Sequence, residues 1–134
     1  MRKINFTISI PPITKKNSQQ IIQVKGRPMI IPSPQYRKYE KQAAGFVPWD
    51  IEKIDYPVNV KALYYMPTRR RVDLTNLHEA LHDMLVHCGA LADDNCNIIV
   101  STDGSRVLYD KNNPRTEVLI EEAWDADYQI KIWE

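Results

Sequence analysis

The stretch that organises this chain is residues 69–95, RRRVDLTNLHEALHDMLVHCGALADDN. Three arginines lead into a helical pattern over residues 73–88, and Gly89 is well placed as its C-terminal stop. Asp93 and Asp94 follow the glycine. The densest positive charge of the chain therefore stands beside a group of carboxylates. Folding does not require this arrangement, whereas an anionic ligand that also binds a metal ion would require both charges.

A helical wheel of residues 73–88 separates two faces. One is an apolar stripe that we predict to be buried, with its cysteine as a core thiol; it comprises Leu74, Leu77, Leu81, Met84, Leu85 and Cys88. The other is a polar face of Asp73, Asn76, Glu79 and Asp83. His78 and His82 lie away from the polar face, and we predict that they are exposed.

The polar face has two interpretations. Asp73 could be only the N-cap of the helix, and the other three side chains could be a solvated surface. Alternatively, a chain that doubles back at Gly89 brings Asp93 and Asp94 toward the N-terminal part of the helix. Converging carboxylates repel one another, and a divalent cation such as Mg²⁺ or Mn²⁺ relieves that repulsion. The arginines 69–71 would then hold phosphate oxygens.

A zinc site is the rival metal interpretation. Histidines at positions 78 and 82 are four residues apart, and His87, Cys88 and Cys96 could complete a set. The wheel argues against it, because it places Cys88 among the leucines, and neither a CxxC nor an HExxH spacing is present. We therefore favour the oxygen-rich site.

The segments outward from this stretch predict a small α+β fold. Alternation over residues 4–10 indicates a strand, IIQVKGRPMII a hairpin turning at residues 25–27, and residues 33–45 a helix with a basic exposed face. VNVKALYYM, NIIVSTDGS and TEVLIEEAWDA are typical of strands, the last two separated by a polar loop, RVLYDKNNP. DYQIKIWE could add an edge strand. We expect one domain over residues 1–134, a mixed sheet with helices packed on it.

Charge is strongly segregated along the chain. Residues 1–71 hold 14 Lys/Arg against 4 Asp/Glu, whereas residues 72–134 hold 4 against 13. This asymmetry favours a nucleic-acid or membrane partner for one surface, although the two halves could also simply neutralise each other. The two cysteines fit reduced thiols in a cytoplasmic protein, and the alternating N-terminus is a strand pattern rather than a signal peptide.

Residues 69–95 resemble the RusA family of Holliday junction resolvases, which bacteria and their prophages often encode. The shared features are an arginine-rich approach, an Asp-x-Asp-Asn-Leu motif that opens a helix, a following Asp, and an Asp-Asp pair after a glycine. The matching positions are Asp73, Asn76, Leu77, Asp83, Gly89, Asp93 and Asp94. Thr75 stands where the family usually has its second motif aspartate, and Glu79 where it usually has a lysine.

The resemblance implies a homodimeric endodeoxyribonuclease that uses Mg²⁺ or Mn²⁺ to nick opposed strands of four-way DNA junctions in recombination and repair. Asp73, Asp94 and Asp93 would bind the metal, and Glu79 could supply the carboxylate that Thr75 lacks. We expect the DNA contacts to come from Lys15, Lys16, Asn17, Arg69, Arg70, Arg71 and Asn76. Lysine or arginine from this set could also replace the helix lysine.

Other interpretations remain open at this stage. The chain could be a non-catalytic nucleic-acid-binding protein of the same fold, or an interaction protein whose segregated charge serves assembly. Tyr36 and Tyr39 lie among the basic residues of the first helix. They could stack on unpaired bases or pack against the sheet.

Overall fold

The computed structural model describes residues 2–15 and 19–123, which form seven strands and two helices. In chain order these are β1 (Lys3–Ile8), β2 (Gln19–Val24), β3 (Arg27–Pro32), α1 (Pro34–Ala44), β4 (Val58–Met66), α2 (Leu74–His87), β5 (Ile99–Ser101), β6 (Arg106–Tyr109) and β7 (Arg115–Glu122). The expected α+β class and element order are confirmed, with one strand more than predicted. DYQIKIWE lies outside the described residues.

The main sheet is mixed and is built around β4. Its order is β1-β7-β4-β5, with β6 pairing β4 further along. The pairs β1–β7 and β7–β4 are antiparallel, whereas β5 and β6 both run parallel to β4. Because α2 connects β4 to β5, the two parallel strands and the helix form a βαβ unit. The stretch with the arginines and aspartates is thus the crossover connection of that unit.

The core lies between one face of this sheet and the two helices. Alternate residues of β4 and β7 are buried, as the alternating sequence predicts: Val58, Val60, Ala62, Tyr64, Thr116, Val118 and Ile120. The apolar stripe of α2 packs against them, with Leu77, Leu81, Met84 and Leu85 at most 1% exposed. The opposite face of the sheet is more accessible, which is common for a sheet with antiparallel strands.

The first helix begins and ends as predicted. The Ser33 hydroxyl oxygen accepts a hydrogen bond from the Tyr36 backbone N–H at 3.2 Å, Pro34 occupies the first turn, and Gly45 caps the C-terminus. Tyr36 and Tyr39 are 1% and 5% exposed, so they pack in the core and base stacking by either ring is ruled out. Burial raises the pKa of both phenols. The Tyr36 hydroxyl donates to the backbone carbonyl of Ala80 on α2.

The second helix ends in a Schellman motif at Gly89. The Gly89 N–H donates to the Val86 carbonyl and the Ala90 N–H to the Leu85 carbonyl, at 3.1 and 2.9 Å. Gly89 has a φ of +87°, which a residue with a Cβ rarely adopts. Ala90 and Leu91 are then buried, so the chain leaves the helix along the core.

Three predictions from the sequence are wrong: those for residues 106–114, for Cys88 and for the two histidines of α2. RVLYDKNNP is not only a loop, because Arg106–Tyr109 pairs in parallel with Leu63–Met66 of β4. Cys88 is exposed, because it lies at the helix end where Ala90 and Leu91 take the buried positions. His78 is only 9% exposed and His82 is half-buried, because the buried arc of α2 is wider than its leucine stripe. Neither cysteine forms a disulfide.

Helix length and composition bear on membrane insertion. No helix in the described part of the chain is both long enough and apolar enough to cross a membrane.

Candidate active site

Asp73 occupies the N-cap position of α2, but its carboxylate does not cap the helix. The backbone is extended there (φ −89°, ψ 127°), and the side chain makes no capping hydrogen bond. Its Oδ2 accepts instead from the Asn76 amide at 3.3 Å. The carboxylate is exposed, so capping is not its main role and it remains accessible to a ligand.

The chain returns to α2 after the Gly89 turn. Ile54 fixes this return: its N–H donates to the Ala90 carbonyl, and its carbonyl accepts from the Ala92 N–H, both at 2.9 Å. Asp94 consequently lies beside Asp83 on the helix. Burial raises the pKa of the Asp94 carboxyl, and repulsion from Asp83 and hydrogen bonding to Asp83 and Asp93 raise it further. We call Asp83 and Asp94 the carboxylate pair.

The position of this contact along the helix differs from the expectation. Asp94 meets α2 at Asp83, in the C-terminal half, whereas the sequence suggested the N-terminal part. Ten residues separate Asp73 from Asp83, so their Cα atoms lie roughly 15 Å apart along the helix axis. Asp83 is therefore a site residue that the sequence reasoning placed on the polar face but did not assign to the site.

Lys15 brings positive charge to the carboxylate pair from the loop after β1. Its Nζ forms an ion pair with Asp83 Oδ2, and both side chains are largely buried, at 22% and 19% exposed. The hydrogen bond to Asp83 raises the pKa of Lys15, opposed by burial and helped by the nearby charges of Asp83, Glu79 and Glu40. Lys15 thus stands among carboxylates of both helices.

The remaining acidic predictions lie close to these groups. Glu79 is exposed on α2 and contributes negative potential at Lys15. Asp93 is held in its own turn, because its two carboxylate oxygens accept from the Asp94 N–H at 2.7 Å and the Asn95 amide at 3.1 Å. Both bonds are local, so Asp93 shapes the loop that presents Asp94.

The three arginines precede the N-cap of α2. Arg69 stacks on the Tyr109 ring, with its guanidinium carbon 4.2 Å from the ring centroid. Arg70 and Arg71 are exposed. The predicted DNA contacts at Lys16 and Asn17 lie outside the described residues.

A buried aromatic cluster lies on the sheet side of α2. The Tyr64 hydroxyl and His78 Nδ1 are 2.7 Å apart, and the rings of His78 and His82 stack with centroids 5.3 Å apart. Burial lowers the pKa of both histidines, and that of His82 falls to about 4 with the help of neighbouring His78. The cluster lies between α2 and β4.

The donor set can be compared with what a metal ion requires. Within residues 2–15 and 19–123, no three His, Cys, Asp or Glu side chains form a group that could hold a metal ion, and this includes the histidines and cysteines of the zinc alternative. The carboxylate pair still fits Mg²⁺, which typically binds through one or two carboxylates, with waters and substrate phosphates completing its shell. Burial raises the pKa of Asp94 and repulsion from Asp83 raises it further, and a cation would relieve that repulsion.

The chain is similar to known endodeoxyribonucleases. A family model described as "Endodeoxyribonuclease RusA" matches residues 9–121, a range that includes every acidic residue of the site. The crossover junction endodeoxyribonuclease RusA of Aquifex aeolicus (strain VF5) is 28% identical over 108 residues, which cover 76% of this chain and 80% of that protein. The chain belongs to the RusA family of endodeoxyribonucleases.

Proposed function

We propose that this protein is a Mg²⁺- or Mn²⁺-dependent endodeoxyribonuclease that resolves four-way DNA junctions and related branched DNA in recombination and repair. The observation that carries the proposal is the carboxylate pair, in which Asp94 from the loop after α2 lies beside Asp83 on the helix that Asp73 and the arginines precede. The similar protein of Aquifex aeolicus, named as a crossover junction endodeoxyribonuclease, supports the choice of substrate.

In this proposal Asp94 and Asp83 would hold the metal ion, and Asp93, whose carboxylate oxygens accept bonds within its own turn, would position the loop that carries Asp94. A divalent cation bound there would supply Lewis-acid polarisation of the phosphodiester. Asp94 is the best placed of these residues to hold that cation, because the local turn at Asp93 fixes its loop. The exposed Asp73 carboxylate would bind through water or from the far side of the phosphate.

The protein's own cations position the DNA backbone. Arg70 and Arg71 are exposed just before the helix and would bind phosphate oxygens through their guanidinium forks. Asn76, whose amide donates to Asp73, would keep that carboxylate oriented toward the same strand. Arg69 is committed to Tyr109 and would fix the path of this segment rather than grip a phosphate.

Lys15 takes over the role of the lysine that the family usually carries on the helix. Glu79 occupies that helix position here, and Lys15 reaches the same acidic neighbourhood from the loop after β1. Its ammonium group would neutralise Asp83 before the metal binds and stabilise the phosphate afterwards. Glu79 would add the carboxylate that Thr75 cannot provide.

Paired nicking of opposed strands requires two active sites, and we therefore propose a homodimer. A two-fold symmetric dimer presents two copies of the carboxylate pair to a junction that is itself two-fold symmetric. Sedimentation equilibrium of the free protein measures this directly, because the 15.6 kDa chain would sediment at twice that mass.

A metal-titrated cleavage assay tests the function. Four-way junction, flap and linear duplex substrates of matched sequence are incubated with the protein in EDTA, Mg²⁺, Mn²⁺ or Ca²⁺. We expect junction cleavage into nicked duplexes in Mg²⁺ or Mn²⁺, and little cleavage of linear duplex. Cleavage in EDTA would contradict the metal requirement, and equal cleavage of all substrates would contradict the preference for branched DNA.

A non-catalytic DNA-binding protein of the same fold is the second candidate. The departures at Thr75 and Glu79 favour it, because together they remove one carboxylate and one cation from the family motif. Junction binding without cleavage in either metal would support this candidate and contradict the first.

A further inference from the structure

The hairpin of β2 and β3 stands apart from the main sheet and exposes aliphatic side chains. Its strands form a separate two-stranded sheet, in which Ile21 pairs directly with Ile30. These two side chains are 70% and 66% exposed. An isolated two-stranded hairpin is marginally stable in water, and an apolar surface of this kind commonly marks a binding site.

The turn of the hairpin is tight and basic. Lys25 and Gly26 both have positive φ, at 53° and 78°, which is the geometry of a two-residue type I′ turn. Val24 pairs with Arg27 across the turn. The tip presents Lys25 and Arg27, and the Ile21–Ile30 pair lies four residues before Lys25 and three residues after Arg27.

Both ends of the hairpin are anchored near the carboxylate pair. Lys15, which binds Asp83, precedes the first residue of β2 by four positions, and a chain of that length spans at most about 14 Å. At the other end, β3 runs into α1, where the Tyr36 hydroxyl bonds to Ala80 on α2 at 3.2 Å. The first residue of β2 therefore lies within about 14 Å of Lys15, and β3 leads into the helix that contacts α2.

Charge identifies the class of partner. The first acidic residue of the chain is Glu40, so the hairpin and the segment before it carry positive charge alone. The exposed face of α1 adds Arg37, Lys38 and Lys41. A second copy that docked hairpin against hairpin would bring these like charges together, whereas a polyanion would be attracted to them.

We propose that the Ile21–Ile30 face of the hairpin inserts into DNA at the branch point and holds bases unstacked beside the carboxylate pair. Proteins that kink DNA use aliphatic side chains flanked by Arg and Lys in this way. The inference rests on the proposed function for its substrate, and it assigns to the hairpin the recognition of the branch. The carboxylate pair then acts on a strand that the hairpin has already separated.

The test uses a four-way junction with 2-aminopurine at the branch point, in EDTA, so that binding is measured without cleavage. Unstacking raises 2-aminopurine fluorescence, and we expect a several-fold gain with the wild-type protein. The double variant Ile21→Gln/Ile30→Gln should lose most of this gain and most of its junction cleavage in Mg²⁺, while its affinity for linear duplex stays within about twofold because the basic side chains remain. Trp49→Gln, which removes a 94% exposed aromatic side chain elsewhere, should behave as wild type.

Each result of this experiment either supports or contradicts the proposal for the hairpin. Equal fluorescence gain in the wild type and the double variant, or no gain in either, would overturn the proposal. A double variant that sediments at half the wild-type mass would assign the face to a second copy instead. If the wild type never cleaves in any metal but its fluorescence gain is lost in the double variant, the hairpin inference stands and the nuclease proposal fails.

Discussion

The ammonium group of Lys15 binds the carboxylate of Asp83 across 68 positions of the chain. This ion pair joins the loop after β1 to the acidic side of α2. Asp83 in turn lies beside the carboxyl of Asp94. The charge balance of the site therefore depends on a residue that lies far from the motif in sequence.

We predict that Lys15 and Asp83 are energetically coupled. A double-mutant cycle of Lys15→Met and Asp83→Asn, measured by urea unfolding, should give a coupling of roughly 1–2 kcal/mol, because both side chains are mostly buried. The same cycle on Arg2 and Glu122, an exposed pair with side chains 62% and 34% accessible, should give a smaller value. Equal coupling in both cycles would contradict a special role for the Lys15 contact.

The sequence predicts the acidic side of α2, but it does not predict where along the helix Asp94 lies. The helical period placed Asp83 with Asn76 and Glu79, and the Gly89 stop predicted that Asp94 returns to the helix. How far the chain returns depends on Ile54, whose backbone bonds hold Ala90 and Ala92, and that contact leaves no pattern in the sequence. The same is true of Lys15, since no local periodicity links it to Asp83.

Asp94→Asn should abolish cleavage and leave junction binding unchanged. The substitution keeps the shape of the side chain but removes the charge that a cation needs, so we expect a loss of at least about a hundredfold in the cleavage rate. Gel-shift titration in Ca²⁺ and single-turnover cleavage in Mg²⁺ measure the two properties separately. Asp50→Asn, at an exposed acidic residue before β4, is the matched control and should cleave normally.

Glu79→Gln should weaken metal dependence without removing activity. Glu79 is exposed on the same side of α2 as the carboxylate pair, and its charge adds to the potential that attracts a cation. We expect the Mg²⁺ concentration for half-maximal cleavage to rise roughly tenfold, as for other residues that support a metal site. An unchanged Mg²⁺ titration would argue that Glu79 is only a solvated residue.

Arg70 and Arg71 should contribute to DNA affinity through phosphate contacts. Replacing either exposed side chain with Gln should reduce the slope of log K against log salt by about 1 and weaken binding to all DNA sequences alike. Fluorescence anisotropy between low and high salt measures the slope. Arg2→Gln, at an arginine engaged with Glu122 and Tyr56, should leave the slope unchanged.

The histidines of α2 show a second limit of sequence reasoning. The helical wheel correctly separated His78 and His82 from the acidic side, but it predicted exposure. Burial depends on the neighbouring strand, where Tyr64 supplies a hydroxyl 2.7 Å from His78 Nδ1. The wheel contains no information about such a partner. Burial lowers the pKa of both histidines, and for His82 this has a consequence for stability.

His82 should make the protein less stable as the pH falls from about 7 to 5. Burial lowers its pKa from 6.5 to about 4, so the unfolded chain binds a proton more readily than the folded chain between these values. The contribution of His82 to the free energy of unfolding is fully present above pH 6.5. It is lost as the pH falls toward 4, by up to about 3 kcal/mol over that range. Urea unfolding at several pH values measures the effect.

Two variants isolate this histidine from other acid-sensitive groups. His82→Leu keeps an apolar side chain at the position and removes the titrating group, so its stability should depend less on pH between 7 and 5. His87→Leu removes an exposed histidine that contacts Glu40 at 2.8 Å, and it should retain most of the wild-type pH dependence because it leaves His82 in place. If His82→Leu and the wild type lose stability in parallel, then His82 is accessible to protons in the folded state and the buried histidine stack is wrong.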